Sequence, residues 1–308
     1  MTAAIVFAYS EVGVLCLREL LAQGVDVPLV VTHADDPREG RWFASVEELA
    51  RQHHLRVEKP DDPNTREWLE LGRDLRPEFL FSFYYRHMLN ADWLRVPSRG
   101  ALNIHGSLLP RYRGRAPVHW AIIHGETETG ASLHYMLEKP DAGALVDQQA
   151  VPIDENDTAL AVSYKVAGAA EEVLRRALPP LIAGTAAARS LDLAAGSYFG
   201  RRRPEDGRID WRQGARAVHD LVRAVAPPFP GAFTDVNGCR LNVLETRLDS
   251  APVRFPARVP CLYAADGAWY ADCADGRRLL IPRLELDHRP VAPAAPPPPL
   301  THQPVALS

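Results

Sequence analysis

Lysine is nearly missing from this chain: Lys59, Lys139 and Lys165 are three among 35 basic residues, and the others are arginines. Arginine suits bidentate contact with phosphate or carboxylate, so the composition keeps such contacts open. The net charge of −4 gives no global attraction to nucleic acid or to an anionic membrane. Cysteine is scarce too. The four thiols, Cys16, Cys239, Cys261 and Cys273, show no CxxC spacing, which argues against a metal framework and for reduced thiols in a cytosol. Where a first strand leads into a helix, "VFAYSEVGVLCL" holds one glycine, Gly13, in place of the three a dinucleotide fingerprint needs, which argues against NAD. A P-loop and a Gly-x-Ser-x-Gly elbow are also missing. The N-terminus has no basic n-region and carries Glu11 early, so neither a secretory signal nor a membrane span is expected, and the expected compartment is the cytoplasm. No internal repeat is visible.

What is present is the rhythm of an α/β protein. With 308 residues the chain fits one large or two ordinary domains. "AAIVFAY" reads as a strand buried on both faces, followed by "VGVLCLRELLAQG" with helical spacing. The alternation continues through "VPLVVTH", "SVEELARQHH", "LRVEKP", "TREWLELGRDL", "EFLFSFYY" and "GALNIH". A doubly wound, mostly parallel sheet is expected, with ligands bound beyond the carboxyl ends of its strands. "ASLHYML" and "LVDQQAVPI" read as two further strands, and a long helix is expected from Thr158 to Ile182, capped by Thr158 or Asp157. Residues 1–190 would form this domain and 191–207 an irregular linker.

Beyond the linker, Asn237-Gly238, Asp266-Gly267 and Asp275-Gly276 are two-residue hairpin signals, so a smaller β-barrel, OB-like, is expected over 208–290. Seven prolines lie between Pro290 and Pro304, and residues 291–308 read as an extended, mobile, proline-rich tail.

The chemistry concentrates in "LNIHGSLLPRYRGRAPVHWAI". Asn103 offers an amide donor for a developing oxyanion, and His105 can donate or accept a proton. Asp141, in "LEKPDAGALV", lies on a separate turn that can face the same crevice. An acid, a base and an oxyanion donor suit acyl transfer to an amine. The plain alternatives are a satisfied polar histidine after a strand and an aspartate that forms a turn. Arg115, at the start of "APVHWAIIHG", is a candidate anion ligand, with Arg111, Arg113 and Arg201 to Arg203 as weaker ones. Tyr84, Tyr85 and Tyr9 sit at strand ends where a ligand ring can stack or touch, or where aromatics simply pack. His119, His124 and His134 raise a metal reading, but no carboxylate or cysteine completes a recognisable set, so no metal is expected.

"NIHGSLLPRYRGRAP" and "GETETGASLHYMLEKPDAGALV" closely resemble the 10-formyltetrahydrofolate-dependent formyltransferases, and the likeness continues through "FGRRRPEDGRIDW" and "VRAVAPPFPGAF". Within that family, "VFAYSEVGVLCLRELL", "VTHADDP" and "FSFYYRHML" look like the formyltransferase half of the bifunctional polymyxin-resistance enzymes acting on UDP-4-amino-4-deoxy-L-arabinose. The resemblance implies a Rossmann-like formyltransferase fold. It implies catalysis by Asn103, His105 and Asp141, with the folate co-substrate along Tyr85, Arg86, His87, Met88 and Leu89. A nucleotide sugar would touch Arg115 and Tyr9, and the product would serve lipid A modification.

Those bifunctional enzymes carry a C-terminal dehydrogenase, and this chain stops at Ser308 without its dinucleotide motif. A separate dehydrogenase of the same pathway is then an expected partner, or the acceptor is another amine: a different nucleotide amino sugar, a hydroxyornithine or initiator methionyl-tRNA. Between Arg208 and Arg289 stand twelve arginines, no lysine and ten acidic residues, too little positive charge for a tRNA surface. A formate-releasing hydrolase and a non-catalytic binding module remain as other classes, and a homo-oligomer is compatible with the sequence.

Overall fold

The computed structural model describes residues 2–35, 41–255, 259–298, 300 and 303–307. In chain order the first elements are β1 (Ala3–Ala8), α1 (Ser10–Ala22), β2 (Asp26–Val31), α2 (Val46–Gln52), β3 (Val57–Glu58) and α3 (Arg66–Asp74). Then come β4 (Phe79–Phe83), α4 (Ala91–Leu94), β5 (Ala101–His105), β6 (Arg113–Gly114), α5 (Pro117–Ile123), β7 (Glu128–Tyr135) and β8 (Leu145–Pro152). The chain continues with α6 (Ala159–Ala183), β9 (Tyr198–Phe199), α7 (Ala215–Val225), β10 (Ala232–Val236), β11 (Cys239–Asp249) and β12 (Cys261–Ala265). It closes with β13 (Ala268–Asp272), β14 (Arg278–Leu286), β15 (Arg289–Pro290) and β16 (Val305–Ala306).

Two compact units result. The first holds residues 1–117, 128–152 and 163–200, and the second holds 118–127, 153–162 and 201–308.

The first unit is built on a seven-stranded sheet in the order β3-β2-β1-β4-β5-β7-β8. Pairs from β3 across to β5 are parallel, while β7 runs antiparallel to both β5 and β8. This is the expected Rossmann-like, mostly parallel sheet. Because the order leaves β1 toward β2 on one side and toward β4 on the other, a crevice opens past the carboxyl ends of β1 and β4. Ile5, Phe7, Leu29, Val31 and Leu80 pack with Trp93 and Tyr85 into one core, and Trp93 Nε1 donates to the Pro63 carbonyl at 2.7 Å. Thr158 does cap α6: its hydroxyl accepts from the Ala161 N–H at 3.3 Å.

The second unit is an antiparallel, nearly closed, barrel-like sheet in the order β10-β11-β14-β13-β12-β16, with β15 on β14. Asn237-Gly238 and Asp266-Gly267 take positive φ at both residues, as a type I′ hairpin turn requires. Asp275-Gly276 departs from that expectation: only Gly276 does so, and the connection spans residues 273–277.

Two sequence readings are corrected. The irregular linker contains β9, which pairs in parallel with β6. The described part of the proline-rich end is not simply extended: β16 pairs with β12, and Val291, Leu300 and Leu307 are buried in the second unit's core. Proline cannot donate to a ladder, but the valine and leucine side chains between the prolines have apolar seats, and β16 covers an otherwise open strand edge. Pro299, Thr301, His302 and Ser308 of that tail, and Asp36 and Pro37 of the "VTHADDP" stretch, lie outside the described residues. Among the described residues no helix is long and apolar enough to cross a membrane.

Candidate active site

Alternate side chains of a strand share a face, so Asn103 and His105 emerge together from β5, beside a buried Leu102 and Ile104. The antiparallel register then sets His134 of β7 opposite Asn103, and Ser132 opposite His105. Asn103 Nδ2 lies 3.1 Å from His134 Nε2.

Asp141 enters from the loop between β7 and β8 at φ +51°, a left-handed conformation that aspartate tolerates better than most residues. Its Oδ1 lies 3.5 Å from His105 Nδ1 and 3.5 Å from His134 Nε2. The backbone N–H of Gly114 donates to Oδ2 at 2.9 Å. On the far side of each ring stands a carbonyl. His105 Nε2 donates to the Tyr112 carbonyl at 2.8 Å, and His134 Nδ1 to the Tyr135 carbonyl at 2.8 Å. Burial by itself pushes the Asp141 carboxyl up. The two histidines and the Gly114 N–H outweigh it and hold the group well below the ordinary carboxylate range, so it is charged at neutral pH. The structure therefore brings Asn103, His105 and Asp141 together in the first unit, His105 and Asp141 in contact at 3.5 Å and Asn103 linked to Asp141 through His134.

A second group lies at the ends of β1, β2 and β4. Tyr9 donates its hydroxyl to Asp35 at 3.0 Å, and the Arg86 guanidinium covers the Tyr9 ring at 4.7 Å. His33 stacks on Tyr85 at 4.1 Å and meets His87 edge-on at 4.8 Å. Burial, reinforced by His87 and Arg86, lowers the His33 pKa to about 4, so the ring is neutral and its Nε2 accepts from the Arg86 N–H at 3.0 Å. Arg115 Nη2 donates to the Arg86 carbonyl at 3.0 Å, which joins Arg115 to the segment from Tyr85 to Leu89. Leu89 is buried in the core, Met88 is exposed, and the Met88 carbonyl accepts from Asn64. Part of that segment's backbone is thus already committed to protein partners.

Other sequence candidates fall elsewhere. Arg111 lies over the Tyr112 ring, Arg113 is buried near the Tyr198 ring, and Arg202 covers Trp120 in the second unit. His119 sits edge-on to Phe229, and burial lowers its pKa to about 4. Among the described residues no group of three or more His, Cys, Asp or Glu is arranged to hold a metal ion.

Sequence reasoning missed His134 as a site neighbour, because strand register is not local information. It also missed the brace under the site. The hydroxyl of Ser197 accepts from the Tyr112 N–H at 2.8 Å, Arg113 N–H donates to the Ser197 carbonyl and Arg115 N–H to the Phe199 carbonyl. Phe199 also stacks on Tyr112 at 5.4 Å. The segment read as linker thereby fixes the loop whose carbonyl holds His105 and whose N–H holds Asp141.

Comparison with known proteins gives the family. Residues 5–178 match the family model described as formyl transferase, and residues 202–295 match the formyl transferase C-terminal domain. An N-formyltransferase from Helicobacter canadensis, solved with folinic acid and dTDP-3-aminofucose, is similar with a TM-score of 0.74 at 19% identity, over 91% of this chain and 99% of that one. WlaRD, a sugar 3N-formyl transferase solved with dTDP and 5-N-formyl-THF, gives a TM-score of 0.71 at 17% identity, over 94% and 99%. A 4-N formyltransferase from Francisella tularensis gives 0.61 at 18%, over 78% and 95%.

Proposed function

The chain belongs to the formyl transferase family, and from that premise we propose that it moves the formyl group of 10-formyltetrahydrofolate onto the 4-amino group of a UDP-amino sugar. UDP-4-amino-4-deoxy-L-arabinose is the acceptor of choice, which makes the reaction a step of lipid A modification and polymyxin resistance. The carrying observation is Asp141 Oδ1 at 3.5 Å from His105 Nδ1, with Asn103 one alternation away on the same strand face.

The residues divide the work. Asn103 and protonated His105 donate to the formyl oxygen as it gains negative charge. Asp141 holds the imidazolium and helps pass the proton, which leaves the amine as its nitrogen bonds to the formyl carbon and reaches the folate nitrogen as the old carbon–nitrogen bond breaks. The donor direction of His105 Nε2 that the Tyr112 carbonyl uses is the one for which the formyl oxygen competes. The segment from Tyr85 to Leu89 lies beside the pterin, and Tyr9 and Arg115 meet the sugar nucleotide.

The relatives solved with a dTDP-amino sugar or dTDP support a nucleotide amino sugar as the acceptor class. Support for the arabinose sugar comes from the stretch "FSFYYRHML" and its neighbours. All four cysteines are unpaired, which fits a reducing cytoplasm. His105→Ala and Asp141→Ala should each lower formyl transfer by roughly a hundredfold or more while circular dichroism stays native. Unchanged turnover in both would remove these residues from the chemistry.

A further inference from the structure

Arg223 of α7 is 4% exposed, so each of its guanidinium nitrogens needs an acceptor inside the protein. Nε donates to Asp220 at 2.7 Å, and Nη1 donates to the carbonyls of Asp154 and Asp157, each at 3.1 Å. Nη2 is buried and has no hydrogen-bond partner among the described residues. A buried charged donor left unpaired is costly, so this position calls for an acceptor from outside the chain.

Arg223 also lines a cavity of about 120 Å³ within the second unit, together with His219 one helical turn earlier, Arg247 of β11 and Arg283 of β14. Leu244, Glu245, Thr246 and Arg247 all line it, four residues in a row, whereas a regular strand turns alternate side chains away. The register between β11 and β14 shifts on both sides of Glu245, and such bulges re-aim side chains. His219 is neutral there: Nε2 donates to the Glu155 carbonyl at 2.9 Å, Nδ1 accepts from the Thr246 hydroxyl at 2.9 Å, and burial lowers its pKa.

The charged lining is then three guanidiniums against one carboxylate, Glu245, which takes one N–H of Arg247 at 2.9 Å. Outside the lining, Asp220 is shared between Arg223 and Arg216, and Glu285 lies 3.8 Å from Arg283. The surplus of positive charge suits a dianion whose oxygens can meet several guanidiniums at once. The volume is well below the roughly 300–1,000 Å³ of a drug-sized ligand site, which limits the occupant to a small head group.

We propose that this cavity binds a phosphate group, free or as the head of a monoester, held by Arg247 and Arg283 at the rim and by Arg223 Nη2 at the base. The rim arginines are half-exposed, at 44% and 53%, and so are open to an entering ion. The test needs no turnover and is independent of the formyl-transfer reading.

Isothermal titration of the full chain, at about pH 7.5 where phosphate is largely dianionic and at about 0.15 M NaCl, should give a dissociation constant of about 1 mM or tighter for inorganic phosphate. The double variant Arg247→Gln/Arg283→Gln should weaken binding about tenfold or more, and Arg277→Gln, an exposed arginine outside the cavity, should stay within about twofold of wild type. Arg223→Lys keeps the charge, removes the fork and should weaken binding about fivefold or more. If that variant fails to fold, the rim pair still decides. Ribose 5-phosphate is titrated in parallel: tighter binding than phosphate assigns the site to an ester, weaker binding to the free ion, and either supports the proposal. No saturable binding by the wild type, wild-type affinity in the rim double variant, or a loss that follows Arg277→Gln or the first unit's Arg115→Gln instead, overturns it.

Discussion

At the scale of single residues, the site is a contest over protons. Asp141 keeps its charge because two imidazoles and one backbone N–H outweigh the cost of burial. His33 is held in the opposite sense. Its folded-state value of about 4 lies below the unfolded value of about 6.5, so its neutral form contributes stability that is complete above pH ~6.5 and is lost as pH falls toward 4. Protonation at Nε2 would also end the hydrogen bond from the Arg86 N–H. Urea midpoints of the wild type should therefore fall more steeply between pH 7.5 and pH 5 than those of His33→Gln; parallel slopes would show that His33 is not the group responsible. Asn103, His105 and Asp141 were legible in the sequence because polar groups end an apolar strand there and because the surrounding stretch resembles a known family. His134 and Gly114 were not. One acts through register across two strands, the other through a backbone N–H, and neither leaves a local signature.

At the scale of elements, the loop between β5 and α5 depends on a two-residue strand that no periodicity could announce. β6 and β9 pair only through residues 113–114 and 198–199, yet the pair orients the Tyr112 carbonyl and the Gly114 N–H toward His105 and Asp141. Gly114 has φ +96°, and a Cβ on it would collide with the Phe199 carbonyl. Gly114→Ala should cost about 1–3 kcal/mol of stability from backbone strain alone and lower kcat, since Asp141 loses its backbone donor when the loop shifts. Thermal melts and steady-state kinetics on the same preparation would check both; a variant with native kcat would mean that Asp141 needs no such support. By contrast, strands such as β1, β4 and β5 were readable from their apolar runs, because a strand buried on both faces has little choice of residue.

At the scale of the whole molecule, the second unit is completed by the end of the chain. β16 pairs with β12, and Leu307 packs at 5% exposure in the core with Trp269, Leu262 and Ile281. Composition suggested a tail because proline dominates it, but a few well-spaced leucines and valines suffice to seat it. Leu307→Ala should lower the unfolding free energy in urea by about 2 kcal/mol, near the small end for buried leucines because a terminal strand can settle into the gap. A change under about 0.5 kcal/mol would leave the last strand without an energetic role. Charge is informative at this scale as well: the near-balance of arginine and acid between Arg208 and Arg289 offers little net positive charge to a tRNA.

The most direct measurement is formyl transfer from 10-formyltetrahydrofolate, read by mass spectrometry, with UDP-4-amino-4-deoxy-L-arabinose, dTDP-amino sugars, hydroxyornithine and initiator methionyl-tRNA offered in parallel. Expected is a formylated UDP-amino sugar, with tetrahydrofolate released in equal amount. Tetrahydrofolate and formate released without any formylated amine, or no turnover with any acceptor, would contradict a formyl transfer to a nucleotide amino sugar.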